Sequence, residues 1–209
     1  MTSMIRKLTL TSHVTFSVGW LGAVAAFLVL SIAGLTSHGA EVVRSAYVGM
    51  DLIGRYVIVP LSLAALASGL ILALGTEWGL VRYYWVLVKL VLTLFATVAL
   101  LLHQFTAVDE AARIVLGSAP GTLPDVGGLS VQLVADAALG LVVLLVVTLL
   151  SVLKPWGQTA YGRKDMVGAE KALTLLPSGL KAFLYAVGAL VTAFIVAHLA
   201  GGGLAKHHH

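Results

Sequence analysis

The chain has 209 residues, of which 59% are hydrophobic and 11% charged, and its mean hydropathy is +1.01. Soluble domains carry about 25% charged residues, so this composition excludes a soluble globular protein and indicates that the lipid bilayer is the solvent. The formal net charge is +4, but basic and aromatic residues do not interleave in a patch, so we expect no nucleic-acid partner. Cysteine is absent, which excludes disulfides, thiolate metal sites and iron–sulfur clusters.

Five apolar stretches are each long enough to cross a bilayer, which takes about 20 residues. In chain order they are residues 10–35, 56–75, 81–103, 129–153 and 182–200. The sequence therefore predicts an all-α fold, a polytopic transmembrane helical bundle of five spans with a four-helix core. Residues 1–206 form this single transmembrane domain, and the histidines at 207–209 resemble the start of an affinity tag.

The first span carries small residues at a spacing of four, Gly19 with Ala23 and Gly22 with Ala26. Such faces let a second helix approach closely, either within the bundle or in a homo-oligomer. Besides such a second copy, the partner that we expect is the lipid bilayer itself.

The segments between the spans predict how neighbouring helices are connected. Residues 36–55 are more polar, and we expect residues 41–56 to form an outer, wetter part of the second helix. Pro60 predicts a kink, because proline removes a backbone donor and clashes with the preceding turn. The short link at residues 75–79 predicts that spans 2 and 3 are antiparallel neighbours. Residues 104–128 are predicted to form a loop, with a short surface helix at 109–116.

The distribution of basic residues predicts the orientation. Cytoplasmic loops carry an excess of Lys and Arg, and here one side holds eight basic residues and the other three. The N-terminus is therefore expected in the cytoplasm and, with five spans, the C-terminus outside. The richer side holds Arg6, Lys7, Arg82, Lys154, Arg163, Lys164, Lys171 and Lys181, and the poorer side holds Arg44, Arg55 and Arg113.

An inner polar cluster follows from helix geometry. His13 lies six residues beyond Lys7 and Lys89 seven beyond Arg82, which places His13 and Lys89 ~9 Å and ~10 Å beyond the inner basic flanks. A neutral imidazole suits haem iron, and Lys89 with Arg82 could meet the haem propionates. Alternatively, Lys89 reaches back to the interface with its long stem, and His13 simply bonds a backbone carbonyl.

A second polar cluster is predicted at the outer side. His103 and His198 both close outgoing helices, and Asp136 enters from that same side. These three residues could bind copper or zinc. Alternatively, Asp136 pairs with Arg55, His103 or a water without any further role, or Lys89 and Asp136 are steps on a proton or ion path.

Two stretches resemble known membrane proteins. TSHVTFSVGWLGAVAAF, with His13 followed by Gly-Trp-x-Gly, and YWVLVKLVLTLFATVALLLH are similar to the small haem-associated protoporphyrinogen oxidases of bacteria and to the CopD-type copper-resistance membrane proteins. The resemblance to the oxidases implies a site for haem b or porphyrin, with His13 and Lys89 at positions thought important there. It covers spans 1 and 3 only, and the chain lacks the methionine-rich and histidine-rich segments expected for copper transport.

A broader resemblance covers most of the chain. LGTEWGL, YWVLVKL and KPWGQTAYGR are similar to stretches of small actinobacterial integral membrane proteins, a family that implies the bacterial plasma membrane and brings no established function. The leading interpretation is a membrane protein that binds haem or porphyrin in the inner leaflet half of the bundle. The alternatives are a small metal- or ion-handling transporter that uses the outer cluster, and a structural subunit without chemistry of its own. Whether the chain is an enzyme stays open.

Overall fold

The computed structural model describes residues 2–76 and 79–159, together with the isolated positions 178, 181, 182, 185 and 189. The first two ranges are helical apart from short connections, and no β-strand occurs in them; a single isolated bridge joins Tyr83 and Gln158. The helices are α1 (Ser3–Thr36), α2 (Ala40–Ile53), α3 (Val59–Gly75), α4 (Tyr84–His103), α5 (Asp109–Gly117) and α6 (Leu129–Leu153).

Two five-residue π-helical segments join these helices into longer ones. The segment π1 (Gly54–Ile58) connects α2 to α3, and π2 (Gln104–Val108) connects α4 to α5. The described part of the chain therefore contains four helices that are long and apolar enough to cross a membrane, Ser3–Thr36, Ala40–Gly75, Tyr84–Gly117 and Leu129–Leu153. The prediction of an all-α protein with apolar helices long enough to span a membrane is therefore confirmed. The predicted fifth span, residues 182–200, lies outside the described residues except at positions 182, 185 and 189.

The four long helices form a closed bundle. Helix α1 packs against α3 and α6, and α4 packs against the other sides of α3 and α6. Because α3 contacts α4 while α2 contacts α5, the second and third long helices run antiparallel, as the short link between them predicts. We call the end of the bundle that carries α2, α5 and residues 118–128 the α2–α5 end.

The predicted loop at residues 104–128 is wrong at residues 104–108, whereas the short helix predicted at 109–116 is present as α5. The third helix continues through π2 and α5 to Gly117, so His103 lies inside a long helix and does not close it. Nor does α5 lie free on the surface, because Ala111, Ala112 and Val115 are buried against α2. This alternation of buried small residues with charged ones gives α5 an apolar face, and packing of that face stabilises the helix despite its polar composition.

The π1 segment lies where a kink was expected at Pro60. Val59 donates its backbone N–H to the carbonyl of Gly54, five residues back, and Pro60 follows at the second position of α3. Proline has no N–H to continue the α-helical ladder, and the wider π turn absorbs that interruption. The helix therefore passes Pro60 without ending.

The opposite end of the bundle is closed by backbone contacts between the entry to α4 and the exit from α6. The backbone N–H of Thr159 donates to the carbonyl of Arg82 at 3.0 Å, and the Thr159 hydroxyl donates to the carbonyl of Val81 at 2.7 Å. Helix α6 ends at Lys154, whose backbone is left-handed with φ of 44°. These contacts bring two basic residues, Arg82 and Lys154, to the same end of the bundle.

Candidate functional site

A cavity of about 100 Å³ lies between α1, π1, α4 and α6. Its walls are mainly aliphatic and aromatic side chains, among them Val24, Phe27, Phe95, Leu133 and Leu144. Three polar side chains also line it: His103, Gln104 and Asp136. The cavity therefore combines apolar walls with a small polar group within the bundle.

His103 and Asp136 are in contact on the cavity wall. His103 is the last residue of α4 and Asp136 lies on α6, so the contact between imidazole Nε2 and carboxylate Oδ2 joins two different spans. Both side chains are largely buried, with His103 only 9% exposed. The carboxamide of Gln132, one turn before Asp136, lies 3.3 Å from the same imidazole nitrogen. The pair was one of the alternatives that the sequence left open for Asp136.

Trp20 lines the same cavity at a different height. A Cβ atom on Gly140 would lie 3.9 Å from the Val24 side chain, so these two positions are level on the antiparallel helices α1 and α6. Trp20 precedes Val24 by one turn and Asp136 precedes Gly140 by one turn, which separates them by ~12 Å along the bundle axis. Trp20 is 3% exposed, and its indole N–H has no hydrogen-bond partner among the described residues.

A polar network lies between the cavity and the surface at the α2–α5 end. Gln104, only 1% exposed, donates from its carboxamide to Asp51 Oδ1 at 3.1 Å. The guanidinium of Arg55 donates to the same Asp51 oxygen at 2.8 Å and also binds Asp109 on α5. Arg113, a turn further along α5, approaches Asp109 at 3.9 Å and is mostly exposed. The network thus links the second long helix to the third.

The inner cluster is built around His13, which is partly buried on α1. Its Nδ1 lies 3.1 Å from the carbonyl oxygen of Ala65 and 3.0 Å from the Ser68 hydroxyl, both on α3. Lys89 lies in the first half of α4, and its predicted common depth with His13 stays a prediction. Arg82 is exposed and lies before the start of α4.

The predicted metal site is only partly described. The structure brings His103 and Asp136 together, whereas His198 lies outside the described residues. Within the described ranges, no group of three or more His, Cys, Asp or Glu side chains is arranged to hold a metal ion. The copper or zinc site therefore stays a prediction that needs a third ligand.

Comparisons with family models, curated proteins and solved structures find no match to this chain. The resemblances to haem-associated oxidases, copper-resistance proteins and small actinobacterial membrane proteins therefore stay predictions. Function has to be argued from the geometry of the two clusters.

Some residues of the site could not be singled out from the sequence. Gln104 was assigned to a loop, although it follows His103 directly and shares its helix. No pattern in the sequence indicated that Trp20 shares a cavity with His103. Ser68 and Gly54 carry no signal of their own, because their roles depend on partners in other helices.

Proposed function

We propose that this chain is an integral membrane protein that handles protons at the His103–Asp136 pair. The main support for this function is that the two ionisable side chains come from different spans and meet on the wall of a cavity within the bundle. An ionisable group at membrane depth costs roughly 2.5–3.5 kcal/mol on insertion scales, and such groups mark proton and ion pathways. This proposal corresponds to the ion-handling alternative of the sequence.

The chemistry of the pair suits proton transfer. Imidazole and carboxyl groups can both bind and release a proton. In contact, His103 and Asp136 can exist as imidazolium with carboxylate, or as neutral imidazole with carboxylic acid. The two forms differ only in the position of one proton. In the charged form, the apolar walls of the cavity strengthen the attraction between the imidazolium and the carboxylate.

The proposal includes a topology. The excess of basic residues on one side favours a cytoplasmic N-terminus, and five spans would then put the C-terminus outside, in a bacterial plasma membrane. The α2–α5 end then faces outside. Asp136 lies seven residues into α6, or ~10 Å from the start of that helix, so the pair belongs to the outer half of the bundle.

Proton flux into liposomes tests this function. Purified protein is reconstituted in vesicles that contain a pH-sensitive dye, and an acid pulse is applied outside with valinomycin and potassium to balance charge. Wild-type vesicles are expected to acidify faster than protein-free vesicles. Asp136→Asn and His103→Gln should each reduce the protein-dependent rate at least about tenfold, because each removes one partner of the proton-sharing pair.

Asp125→Asn is the matched control, because Asp125 is exposed in the connection before α6 and its carboxylate accepts a local backbone bond from Gly127. This variant should keep the wild-type rate. A wild-type rate equal to that of empty vesicles, or a rate that survives Asp136→Asn, would refute the proposed function.

Haem or porphyrin binding at His13 is a second candidate that one observation favours. Histidines that bind a metal usually donate the second ring N–H to a carbonyl or carboxylate, which orients the ring. The carbonyl of Ala65 at 3.1 Å from Nδ1 can play this role and leaves Nε2 as the ligand atom. If haem binds, Nε2 of His13 would ligate the iron, and Lys89 and Arg82 would bind the haem propionates.

The visible spectrum tests this candidate. Protein expressed with ample haem supply is expected to show a Soret band that His13→Ala removes, while His38→Ala, in the exposed connection after α1, keeps it. Colourless wild-type protein would exclude the haem candidate and leave the His103–Asp136 proposal unaffected, because the two clusters share no residue.

A further inference from the structure

The two π-helical segments contact each other at the α2–α5 end of the cavity. Gly54 opens π1 and Gln104 opens π2, and a Cβ atom built on Gly54 would overlap the Gln104 carboxamide. Only glycine leaves room for this contact. The same Gln104 side chain lines the cavity and is almost fully buried, so it lies between the cavity and the polar groups beyond it.

Beyond Gln104, exposure increases stepwise toward the surface. Asp51 accepts from Gln104 and its side chain is 22% exposed; Arg55 and Asp109 are 33% exposed. Arg113, which follows, is 68% exposed. The polar network therefore forms a continuous series from the cavity wall to the surface, and Gln104 is its innermost member.

We propose that Gln104 is a plug that closes the cavity toward the α2–α5 end, held shut by its hydrogen bond to Asp51. The proposal rests on the proposed function, because it assigns the cavity of the His103–Asp136 pair one regulated access route. When the Gln104–Asp51 bond breaks, the carboxamide leaves the cavity mouth and water reaches the pair from the polar network. Protons then enter or leave by this route.

The local backbone suits such a movement. π-helical segments are rare and occur frequently at functional sites, because their wider turn interrupts the regular ladder of hydrogen bonds. Here the first residues of the two segments meet, with the plug, Gln104, on π2 and the glycine that accommodates it, Gly54, on π1. Arg55 binds Asp51 on the second long helix and Asp109 on the third. It therefore fixes the Asp51 carboxylate, which accepts the hydrogen bond from Gln104.

Cysteine accessibility tests the plug directly, because the chain contains no cysteine of its own. Ala137 lines the cavity and is buried, so Ala137→Cys places a reporter thiol next to Asp136. The full chain in lipid nanodiscs is treated with a negatively charged, membrane-impermeant methanethiosulfonate. We expect slow labelling of the single variant and labelling at least about tenfold faster when Gln104→Ala is added.

Gly54→Ala provides a second variant that removes no polar group. Its methyl group displaces the Gln104 carboxamide and should also accelerate labelling of the reporter. Gln158→Ala is the matched control, since this glutamine lies at the opposite end of the bundle and donates to the Tyr83 hydroxyl. It should leave the labelling rate unchanged. Intact folding of each variant is verified by its thermal unfolding in detergent.

The outcome is independent of proton flux. If labelling of folded Gln104→Ala and Gly54→Ala proteins stays at the rate of the reporter alone, the plug is refuted, whatever the liposome assay shows. If both variants accelerate labelling while wild-type vesicles carry no proton flux, the plug is supported and the proposed function is refuted. Equal acceleration by Gln158→Ala would mean general loosening of the bundle, which also contradicts the plug.

Discussion

Gln104 occupies the space that a side chain on Gly54 would need, so the packing of the second and third long helices at this level depends on a residue without a Cβ atom. The contact joins two π-helical segments that belong to different spans. It also brings the Gln104 carboxamide to Asp51, one turn before Gly54. The partly buried hydrogen bond between Gln104 and Asp51 therefore depends on the close packing at Gly54.

Gly54→Ala should destabilise the protein. The added methyl group forces Gln104 out of its place and breaks its bond to Asp51, so we expect the free energy of unfolding to fall by about 1–3 kcal/mol. Gly22→Ala is the control, because a Cβ atom there meets nothing within 4 Å. It should stabilise α1 slightly, by up to about 1 kcal/mol. Equilibrium unfolding in mixed detergent micelles measures both, and equal effects would contradict the packing described.

Trp20→Phe should cost much less than Trp20→Ala. Phenylalanine keeps much of the apolar ring volume and removes an indole N–H that has no partner among the described residues, so we expect a change within about 1 kcal/mol. Trp20→Ala also opens a large void and should cost about 3–5 kcal/mol. Denaturation of the two variants under identical conditions provides the comparison. Equal losses for both would indicate that the indole nitrogen does bind a partner.

The His103–Asp136 pair should show strong non-additivity. His103→Leu leaves a buried carboxylate without its partner, and losses of this kind amount to about 3–5 kcal/mol. Replacing both residues by leucine removes the pair without leaving a charge, so the double variant should be more stable than His103→Leu. A double-mutant cycle of unfolding free energies measures this. Strictly additive losses would show that the two side chains do not interact.

His13 and Ser68 should be coupled through the bond between α1 and α3. Hydrogen bonds between membrane helices average about 0.6 kcal/mol and reach about 1.7 kcal/mol in double-mutant cycles, so we expect a coupling in this range for His13→Ala with Ser68→Ala. Ser62→Ala supplies the control cycle, because Ser62 is buried on α3 and its hydroxyl donates to the Val59 carbonyl. Its coupling to His13 should be near zero. Equal coupling in both cycles would exclude a specific bond.

The apolar spans were predictable because their hydropathy and length depend on local sequence alone. The antiparallel arrangement of spans 2 and 3 was predictable for the same reason, because a short link forces two consecutive spans to lie side by side in opposite directions. Counting residues from the basic flanks predicts a common depth for His13 and Lys89, and this stays a prediction. Such arguments give height along a helix, and they cannot give the helix face that a neighbour covers.

The extension of the third helix was missed because Gln104, Asp109 and Glu110 made the segment look like a loop. Its helical signal was present, since buried Ala107, Ala111 and Val115 repeat every four residues. The π segments had no such signal. A π turn arises when interhelical packing and one extra residue make a wider turn more favourable, and neither hydropathy nor propensity records that balance.

The π turns have a consequence for the length of the chain. A π turn holds one residue more than the α-helical turn that it replaces, so removing one residue from Gly54–Ile58 would let the chain continue as a regular α-helix without turning α2 away from the bundle. Removing one residue within α2 itself would instead rotate the part of α2 before the deletion by about 100°, and the buried residues there, such as Val43 and Tyr47, would leave the interior together. Single-residue deletions should therefore survive selection more often within the π segments than within the regular helices. Descendants of this sequence could lose the extra residue of a π turn and still keep the same buried faces on either side of it.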